Sequence, residues 1–293
     1  MSENKHIVSI GGFSLSLTTE EPRFQRNWDG PLEQFRISGE SADIEVSAGW
    51  ELEAPITGEL VCKSPGLWSY YRDAGEHFFV FQSDACGPDY YKTARFDADL
   101  RRGKVGLRRS YFDGAQIIDP LEYPLDELLI SQRLLDSGGL EMHSCGIFDQ
   151  DLDRAYLFVG MSGAGKTTMA NQWQNESRAL VLSDDRILIR KEEGRYWLHG
   201  TPWHGDAQLS EQKRAPLSHI FFLEKGKKNE RIAIGPAEAS ARLLRSTFGA
   251  IFDTHATERA LGICSEIITT VPNYLLPYVP DPDVVDFLRG ISP

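Results

Sequence analysis

The sequence has few cysteines and no long hydrophobic run, and both shortages narrow the class of protein. Its four cysteines are far apart and form no Cys-x-x-Cys pair, so neither a zinc site nor a set of disulfide bridges is expected. No stretch approaches the roughly 18 consecutive apolar residues of a transmembrane helix. The first residues lack the basic start and apolar block of a secretory signal. These features predict a cytoplasmic protein without membrane partners.

Positive charge is also in short supply. Lysine and arginine total 31 against 43 aspartates and glutamates, which gives a net charge of -12. A surface that binds DNA or RNA must neutralise many phosphates with basic side chains. Nucleic acid is therefore not an expected partner, and the short basic groups at 101–102 and 225–228 are interpreted as solvated turns.

The first part of the chain has the pattern of a β-rich domain, to which we assign residues 1–120. Short apolar or alternating runs are separated by glycine, proline, aspartate and asparagine, which is typical of an antiparallel meander. Strands are predicted at 7–10, 13–17, 43–46, 59–63, 78–82 and 104–107. Aromatic residues cluster here and are expected in the core, because nothing beside them suggests a cofactor.

The second part, residues 121–293, has the mixed pattern of an α/β domain. A helix is expected at 125–135, where leucines keep a helical spacing and glycines follow. Further helices are expected at 166–174, at 236–245 and from 281 onward. Strands are predicted at 155–159, 179–182, 186–190, 195–199 and 219–223.

Residues 160–167, Gly-Met-Ser-Gly-Ala-Gly-Lys-Thr, match the phosphate-binding pattern G-x-x-x-x-G-K-[ST]. Glycines allow the backbone to wrap around phosphate oxygens, and the helix that starts there adds its positive N-terminus. Lys166 would lie at the β and γ phosphates of ATP, and the Thr167 hydroxyl would ligate Mg²⁺. The residues predicted to hold the nucleotide are Gly160, Ser162, Gly163, Ala164, Gly165, Lys166, Thr167 and Thr168.

Two further elements lie near this loop in sequence. Asp184 and Asp185 directly follow the predicted strand 179–182, where an acidic residue beside such a loop usually holds Mg²⁺. One carboxylate would bind the metal, and the other would accept the proton of the attacking hydroxyl. His143 precedes the strand that enters the loop, and a catalytic role and a structural role are equally compatible with its position.

The ordered set of His143, the loop, the Asp pair, 200–203 (Gly-Thr-Pro-Trp) and the strand 215–223 resembles the HPr kinase-like proteins. This resemblance covers about residues 125–290. It implies an α/β fold in which the P-loop lies on a mixed sheet, as in ATP-dependent phosphoenolpyruvate carboxykinase. It implies that Asp185 is the base, that Asp184 supports the metal, and that His143 belongs to the site. It also predicts Trp203 near the nucleotide or the acceptor.

The chain departs from that family in two places. The Glu-x-Arg-Gly signature of the bifunctional kinase/phosphorylases is replaced by Gly-Thr-Pro-Trp-His-Gly at 200–205, which removes a metal ligand and argues against phosphorolysis. The first domain does not resemble the family's N-terminal domain. HPr is therefore not assigned as the acceptor, and related kinases that act on a serine of a peptide are the nearer analogy.

These observations favour an ATP- and Mg²⁺-dependent kinase that phosphorylates a hydroxyl of a protein, a peptide or a small molecule. Arg214 is the candidate cation at the transferring phosphate, and a solvent-facing role for it is equally compatible. One alternative is a non-enzymatic regulator that senses ATP, which would need no proton acceptor. A carboxykinase is a third alternative, but no metal and carboxylate-binding cluster can be assigned. A homo-oligomer remains open.

Overall fold

The computed structural model of the chain describes residues 4–28, 30–52, 58–176, 178–205, 207–248 and 253–291. It divides into two compact units, Met1–Arg133 and Leu134–Pro293. The division lies inside helix α1 (Leu125–Asp136), whereas the sequence places the domain boundary at 120/121, ahead of that helix. Within the described ranges, no helix has both the length and the apolar character needed to cross a membrane.

In the first unit, nine strands of the described residues form one sheet in the order β3-β1-β2-β4-β9-β8-β7-β6-β5. The strands are β1 (Asn4–Ile10), β2 (Phe13–Thr19), β3 (Arg36–Ile37), β4 (Ile44–Gly49), β5 (Glu59–Ser64), β6 (Trp68–Asp73), β7 (Glu76–Gln82), β8 (Tyr90–Phe96) and β9 (Arg102–Leu107). All six predicted strands are confirmed.

The prediction of an antiparallel meander is right for β5 to β9 and wrong for the middle of the sheet. Strand β4 pairs in parallel with both β2 and β9. Parallel neighbours need a long crossover between them. One crossover lies between β2 and β4, and the other lies between β4 and β9 and contains the β5–β8 meander.

Strands β6 and β8 were missed because charged residues interrupt their apolar pattern. The buried Tyr70 of β6 stacks on Phe79 of β7 at 4.8 Å, as expected of core aromatics. Lys92 of β8 is fully buried, with its ammonium 3.3 Å from Glu122 and 4.3 Å from the centre of the Phe81 ring. A carboxylate and an aromatic face together stabilise a cation in this interior position.

The second unit alternates strands and helices. After α1 come β10 (Leu140–Asp149), β11 (Arg154–Val159), α2 (Lys166–Glu176), β12 (Leu180–Ser183), β13 (Arg186–Glu192), β14 (Arg195–His199), β15 (Arg214–Lys225), β16 (Ile232–Ala233), α3 (Pro236–Leu244), β17 (Thr247–Phe248), α4 (Thr254–Thr270), β18 (Asn273–Tyr278) and α5 (Asp283–Arg289). The predicted helices and strands of this half are confirmed, with shifted ends.

These strands form a mixed sheet with helices on both faces. Strand β11 pairs antiparallel with β10 and parallel with β15, and β15 pairs in parallel with β18. Side chains of β11 alternate between the faces. Leu157 and Val159 pack in the cluster that contains α3 and α4, whereas Tyr156 and Phe158 pack with α2 and α5. The sheet therefore lies between two helical layers, which buries both of its faces.

Five elements of this unit had no sequence prediction, namely β10, α4, β18 and the two-residue strands β16 and β17. Strand β10 is buried on both faces and so lacks the alternation that marks a half-exposed strand. Helix α4 has buried residues at Ala260, Ile263, Cys264 and Ile267, a helical spacing that could have been found, and its N-cap is Asp253. The short strand β18 contains a proline, which weakens the strand pattern.

The last helix is anchored to the sheet by an ion pair that can be tested. The buried Asp149 accepts two hydrogen bonds from Arg289, at 2.8 and 2.9 Å, and the half-exposed Asp151 accepts one at 3.0 Å. We expect Asp149→Asn to lower the free energy of unfolding by about 2 kcal/mol, because a buried charge-assisted bond is lost. Asp151→Asn should lower it by less than about 0.5 kcal/mol.

Urea unfolding of the full chain measures both changes. Equal losses in the two variants would contradict the buried anchor.

Candidate active site

The glycine-rich loop of residues 160–165 connects the end of β11 to the start of α2. Gly163 and Gly165 have φ angles of 77° and 103°, in the region that favours glycine. The side chain of Lys166 folds back, and its Nζ donates to the carbonyl oxygen of Gly160 at 2.8 Å. A strand, a glycine loop and a helix N-terminus in this order form an anion-binding concavity.

The remaining loop residues lie around this concavity. Ser162, Gly163 and Thr167 are exposed, whereas Ala164, Gly165 and Thr168 are half-buried. Accessible backbone N–H groups and hydroxyls at a helix start are what a phosphate chain requires. The loop therefore fits a nucleotide, although its use for ATP stays a prediction.

Tyr278, at the end of β18, stabilises the glycine-rich loop through a hydrogen bond. Its hydroxyl donates to the carbonyl oxygen of Gly165 at 2.9 Å. That carbonyl also accepts the N–H of Met169, at 2.9 Å, in the first turn of α2. In a trans peptide the carbonyl and the following N–H point in opposite directions. Fixing the Gly165 carbonyl therefore also fixes the direction of the Lys166 N–H. No motif in the sequence points to this role of Tyr278.

Strand β10 brings His143 to both the loop and the aspartate pair. Residues 140–143 pair with β13 and residues 146–148 pair with β12, so the turn between β12 and β13 lies opposite Ser144. The Ser144 N–H donates to the carbonyl oxygen of Asp185 at 3.1 Å. On the other edge of β10, Ser144 pairs with Val159, the residue before the loop. Strand β10 with His143, the start of the glycine-rich loop and the aspartate pair thus meet at one position of the sheet.

Lys166, His143 and Asp185 form a chain of contacts. The Lys166 Nζ lies 3.1 Å from the His143 Nε2, and the His143 Nδ1 lies 2.9 Å from Oδ1 of Asp185. An ammonium can only donate and a carboxylate can only accept, so these two contacts assign the proton of a neutral His143 to Nδ1. The Arg186 Nη1, which lies 3.3 Å from the same Nδ1, then donates to Asp185 instead. His143 thereby orients the Asp185 carboxylate.

The electrostatics of this chain are set by burial and by neighbouring charge. Burial alone raises the pKa of Asp185, but the hydrogen bond from His143 and the charges of Arg186 and Lys166 outweigh it and lower the pKa. Burial lowers the pKa of Lys166, and the Asp185 charge offsets this only in part. Asp185 is therefore ionised at neutral pH and is able to accept a proton.

Arg186 is a site residue that the sequence analysis missed. Its guanidinium pairs with Asp185 and lies 3.8 Å from the buried Glu141, and its Cζ is 3.9 Å from the centre of the Phe248 ring. Its position directly after the aspartate pair was the available signal. Arg186 adds a fixed positive charge beside Asp185, which contributes to the lowered pKa of that carboxylate.

Asp184 faces a different partner from Asp185. It is buried, and its two oxygens accept the backbone N–H groups of Gly205 and Ala207 at 3.0 and 3.1 Å. Each oxygen keeps one lone pair that a metal could use. No group of three or more His, Cys, Asp or Glu side chains that could hold a metal occurs in the part of the chain that the structure describes. The Mg²⁺ roles of Asp184 and Thr167 stay predictions.

Trp203 lies beside the turn that carries the aspartate pair. The Ser183 hydroxyl donates to its carbonyl oxygen at 3.3 Å, and its side chain is buried. The Thr201 hydroxyl lies 3.2 Å from the same oxygen and donates its one hydrogen to the nearer carbonyl oxygen of Arg186, at 2.7 Å. The segment 200–205 thus supports the turn before Asp185 from one side. Proximity of Trp203 to a bound nucleotide or acceptor stays a prediction.

Arg214 is not brought to the loop by any contact in the described ranges. Its guanidinium pairs with Glu192 and lies 4.6 Å from the centre of the Trp197 ring, on strands β13 and β14. Glu192 satisfies the charge of Arg214, so the predicted role of Arg214 at a transferring phosphate has no support in these contacts.

The loop geometry leads to a test that compares two glycines. A Cβ at Gly165 would lie 2.0 Å from the Tyr278 hydroxyl oxygen, whereas a Cβ at Gly163 would meet nothing within 4 Å. We expect Gly163→Ala to lower the free energy of unfolding by about 1–2 kcal/mol, the cost of a left-handed backbone. Gly165→Ala should lower it further and also weaken nucleotide binding. Denaturant unfolding and calorimetry measure the two effects, and equal stability of the variants would contradict the packing of Tyr278 on the loop.

The chain was compared with known proteins. A search of curated proteins finds no match. Among solved structures, the HPr(Ser) kinase/phosphatase of Coxiella burnetii is similar over 51% of this chain and 90% of that one, with 11% sequence identity and a TM-score of 0.27. A likeness at this level supports no inference about activity. The family model described as SynChlorMet cassette protein ScmC matches residues 126–276, just over half of the chain. The chain therefore belongs to the ScmC family.

Proposed function

We propose that this protein is an ATP- and Mg²⁺-dependent kinase that transfers the γ-phosphoryl group to a hydroxyl, within a P-loop fold like that of phosphoenolpyruvate carboxykinase. The observation that carries the proposal is the chain from Lys166 through His143 to Asp185. It joins a cation that suits phosphate to a carboxylate that suits a hydroxyl proton. Phosphoryl transfer needs mainly such positioning and charge stabilisation.

The glycine-rich loop would hold the nucleotide. Backbone N–H groups of 160–167 and the N-terminus of α2 would contact the phosphates, and Lys166 would exchange its bonds to Gly160 and His143 for β and γ oxygens. Tyr278 keeps the loop in its conformation during this exchange. Mg²⁺ bound by Thr167, Asp184 and the phosphates would supply charge neutralisation.

Asp185 would take the proton of the acceptor hydroxyl. The acceptor oxygen forms a bond to the γ-phosphorus while the bond from that phosphorus to the bridging oxygen breaks, and ADP leaves with the electron pair. A hydrogen bond from the His143 Nδ1–H holds one carboxylate oxygen of Asp185 in place. The two ring nitrogens of His143 link the base to Lys166.

The alternative of a non-enzymatic ATP-binding regulator explains the loop but not the rest of the site. A sensor requires no oriented carboxylate beside the phosphate-binding lysine. The contacts of Asp185 with His143 and Arg186 therefore favour the kinase.

Two substitutions separate nucleotide binding from phosphoryl transfer. We expect Lys166→Ala to abolish transfer and weaken Mg·ATP binding, because the side-chain cation that the proposal places at the β and γ phosphates is lost. We expect Asp185→Asn to keep Mg·ATP affinity within a fewfold of the parent while transfer falls about 10²–10⁴-fold. Calorimetry measures affinity, and single-turnover transfer from γ-labelled ATP measures the chemical step.

The exposed Lys227 and Asp286 supply matched controls, since Lys227→Ala and Asp286→Asn change the same groups away from the loop. Unchanged ATP affinity in Lys166→Ala would refute nucleotide binding by this loop. Transfer at the parent rate in Asp185→Asn would refute the assigned base and make His143 the next candidate.

The lowered pKa of Lys166 predicts a pH dependence of nucleotide binding. A lysine whose pKa is lowered loses its charge at a lower pH than an ordinary lysine, for which the value is 10.5. We expect Mg·ATP affinity to fall as the pH rises from neutral, with the decline beginning at a lower pH than an ordinary lysine would give. Titrations across that range measure it, with Lys227→Ala as the control. Constant affinity up to pH 10.5 would contradict the environment described for Lys166.

A further inference from the structure

A pocket of about 430 Å³ adjoins the glycine-rich loop and takes no part in the proposed nucleotide binding or proton transfer. Gly160, Met161 and Ala164 of the loop line one side of it. Val159, the last residue of β11, and Phe222 and Leu223, near the end of β15, also line it. Volumes of this size are typical of small-molecule sites.

The pocket lies beside the part of the loop that is expected to hold the γ-phosphate. The Lys166 ammonium donates to the carbonyl oxygen of Gly160, a residue that lines the pocket. In such loops this ammonium reaches the β and γ phosphates. Ser246 also lines the pocket, and its carbonyl oxygen accepts the N–H of His143 at 2.6 Å. A group in this pocket would therefore lie beside the end of the nucleotide from which the phosphoryl group departs.

Two arginines border the pocket, and they differ in their partners. Arg242 contacts Glu224 and Glu238, which also line the pocket, each at 2.9 Å, so the charge of Arg242 is already paired. Arg245 is exposed, and in the described ranges no carboxylate lies within ion-pair distance of its guanidinium. Arg245 can therefore bind an anion without breaking an existing ion pair.

We infer that this pocket binds the phosphate acceptor, a hydroxyl compound with an apolar body and a carboxylate, and that Arg245 holds the carboxylate. The inference rests on the kinase function proposed above. Val159, Phe222 and Leu223 offer the body an apolar surface, while Met161, with 77% of its surface exposed, covers the loop side. The hydroxyl would then face the His143 and Asp185 side of the site.

Calorimetry with simple hydroxy acids tests this inference on the full chain. The probe is 3-phenyllactate, which carries a ring, a hydroxyl and a carboxylate. Lactate, which lacks the ring, should bind at least about tenfold more weakly. The amide of 3-phenyllactate, which lacks the charge, should also bind about tenfold more weakly. Titrations with and without a non-hydrolysable Mg·ATP analogue show whether both ligands bind together.

Variants assign the charge to Arg245. Arg245→Gln should lower the affinity for 3-phenyllactate about tenfold, remove the preference for the acid over its amide, and leave the affinity for the ATP analogue unchanged. Arg231 is a matched control, because it is an exposed arginine that lies on the Tyr274 ring and does not line the pocket. Arg231→Gln should bind every probe as the parent does.

A peptide probe distinguishes a peptide acceptor from a free hydroxy acid, because both can carry the hydroxyl, the apolar group and the carboxylate. N-acetyl-seryl-phenylalanine carries the hydroxyl, ring and carboxylate on a peptide end. Tighter binding of the peptide supports a peptide acceptor, and tighter binding of 3-phenyllactate supports a free hydroxy acid.

The inference would be overturned if neither 3-phenyllactate nor N-acetyl-seryl-phenylalanine binds, or if Arg245→Gln binds 3-phenyllactate as the parent does. Displacement of 3-phenyllactate by adenosine would also overturn it, because the pocket would then belong to the nucleoside. Binding of the hydroxy acid without any binding of the ATP analogue would instead overturn the kinase function and leave the pocket assignment intact.

Discussion

The candidate site depends on the pairing of β10 with strands on both of its edges. On one edge β11 leads into the glycine-rich loop, and on the other edge β12 and β13 meet β10 one after the other. The interval between those two strands is the turn that carries Asp184 and Asp185. Backbone hydrogen bonds therefore set the distance between the loop and the aspartate pair, and His143 on β10 links the two sides.

This arrangement gives the two aspartates different physical tasks. Asp184 satisfies two backbone N–H groups of the segment after Trp203 and so stabilises the support of the turn. Asp185 points to side chains instead, and His143 and Arg186 keep it ionised. A base with a lowered pKa is a weaker proton acceptor but is always available at neutral pH. Charge from Lys166 and Arg186 thus sets both the availability and the strength of the base.

The elements with a strong local signal could be predicted from sequence. The loop 160–167 and helix α2 follow from glycine, lysine and helix patterning, and the closeness of Asp185 to the loop follows from its place at a strand end. Arg245, Tyr278 and the pairing of β10 could not be predicted, because each depends on contacts between residues distant in sequence. The sequence likewise held no information about Glu192, the partner of Arg214, because that ion pair also joins residues distant in sequence, and the role of Arg214 at a transferring phosphate stays a prediction.

A crystal structure of the protein with a non-hydrolysable Mg·ATP analogue would show whether the glycine-rich loop holds the nucleotide and whether Asp185 faces the transferred group. We expect phosphates in the glycine-rich loop, with the Lys166 ammonium moved from Gly160 and His143 onto a γ-phosphate oxygen. We also expect the γ-phosphate on the side of the loop that faces Asp185. A nucleotide bound away from residues 160–167, or a γ-phosphate on the side remote from Asp185, would contradict the proposed site.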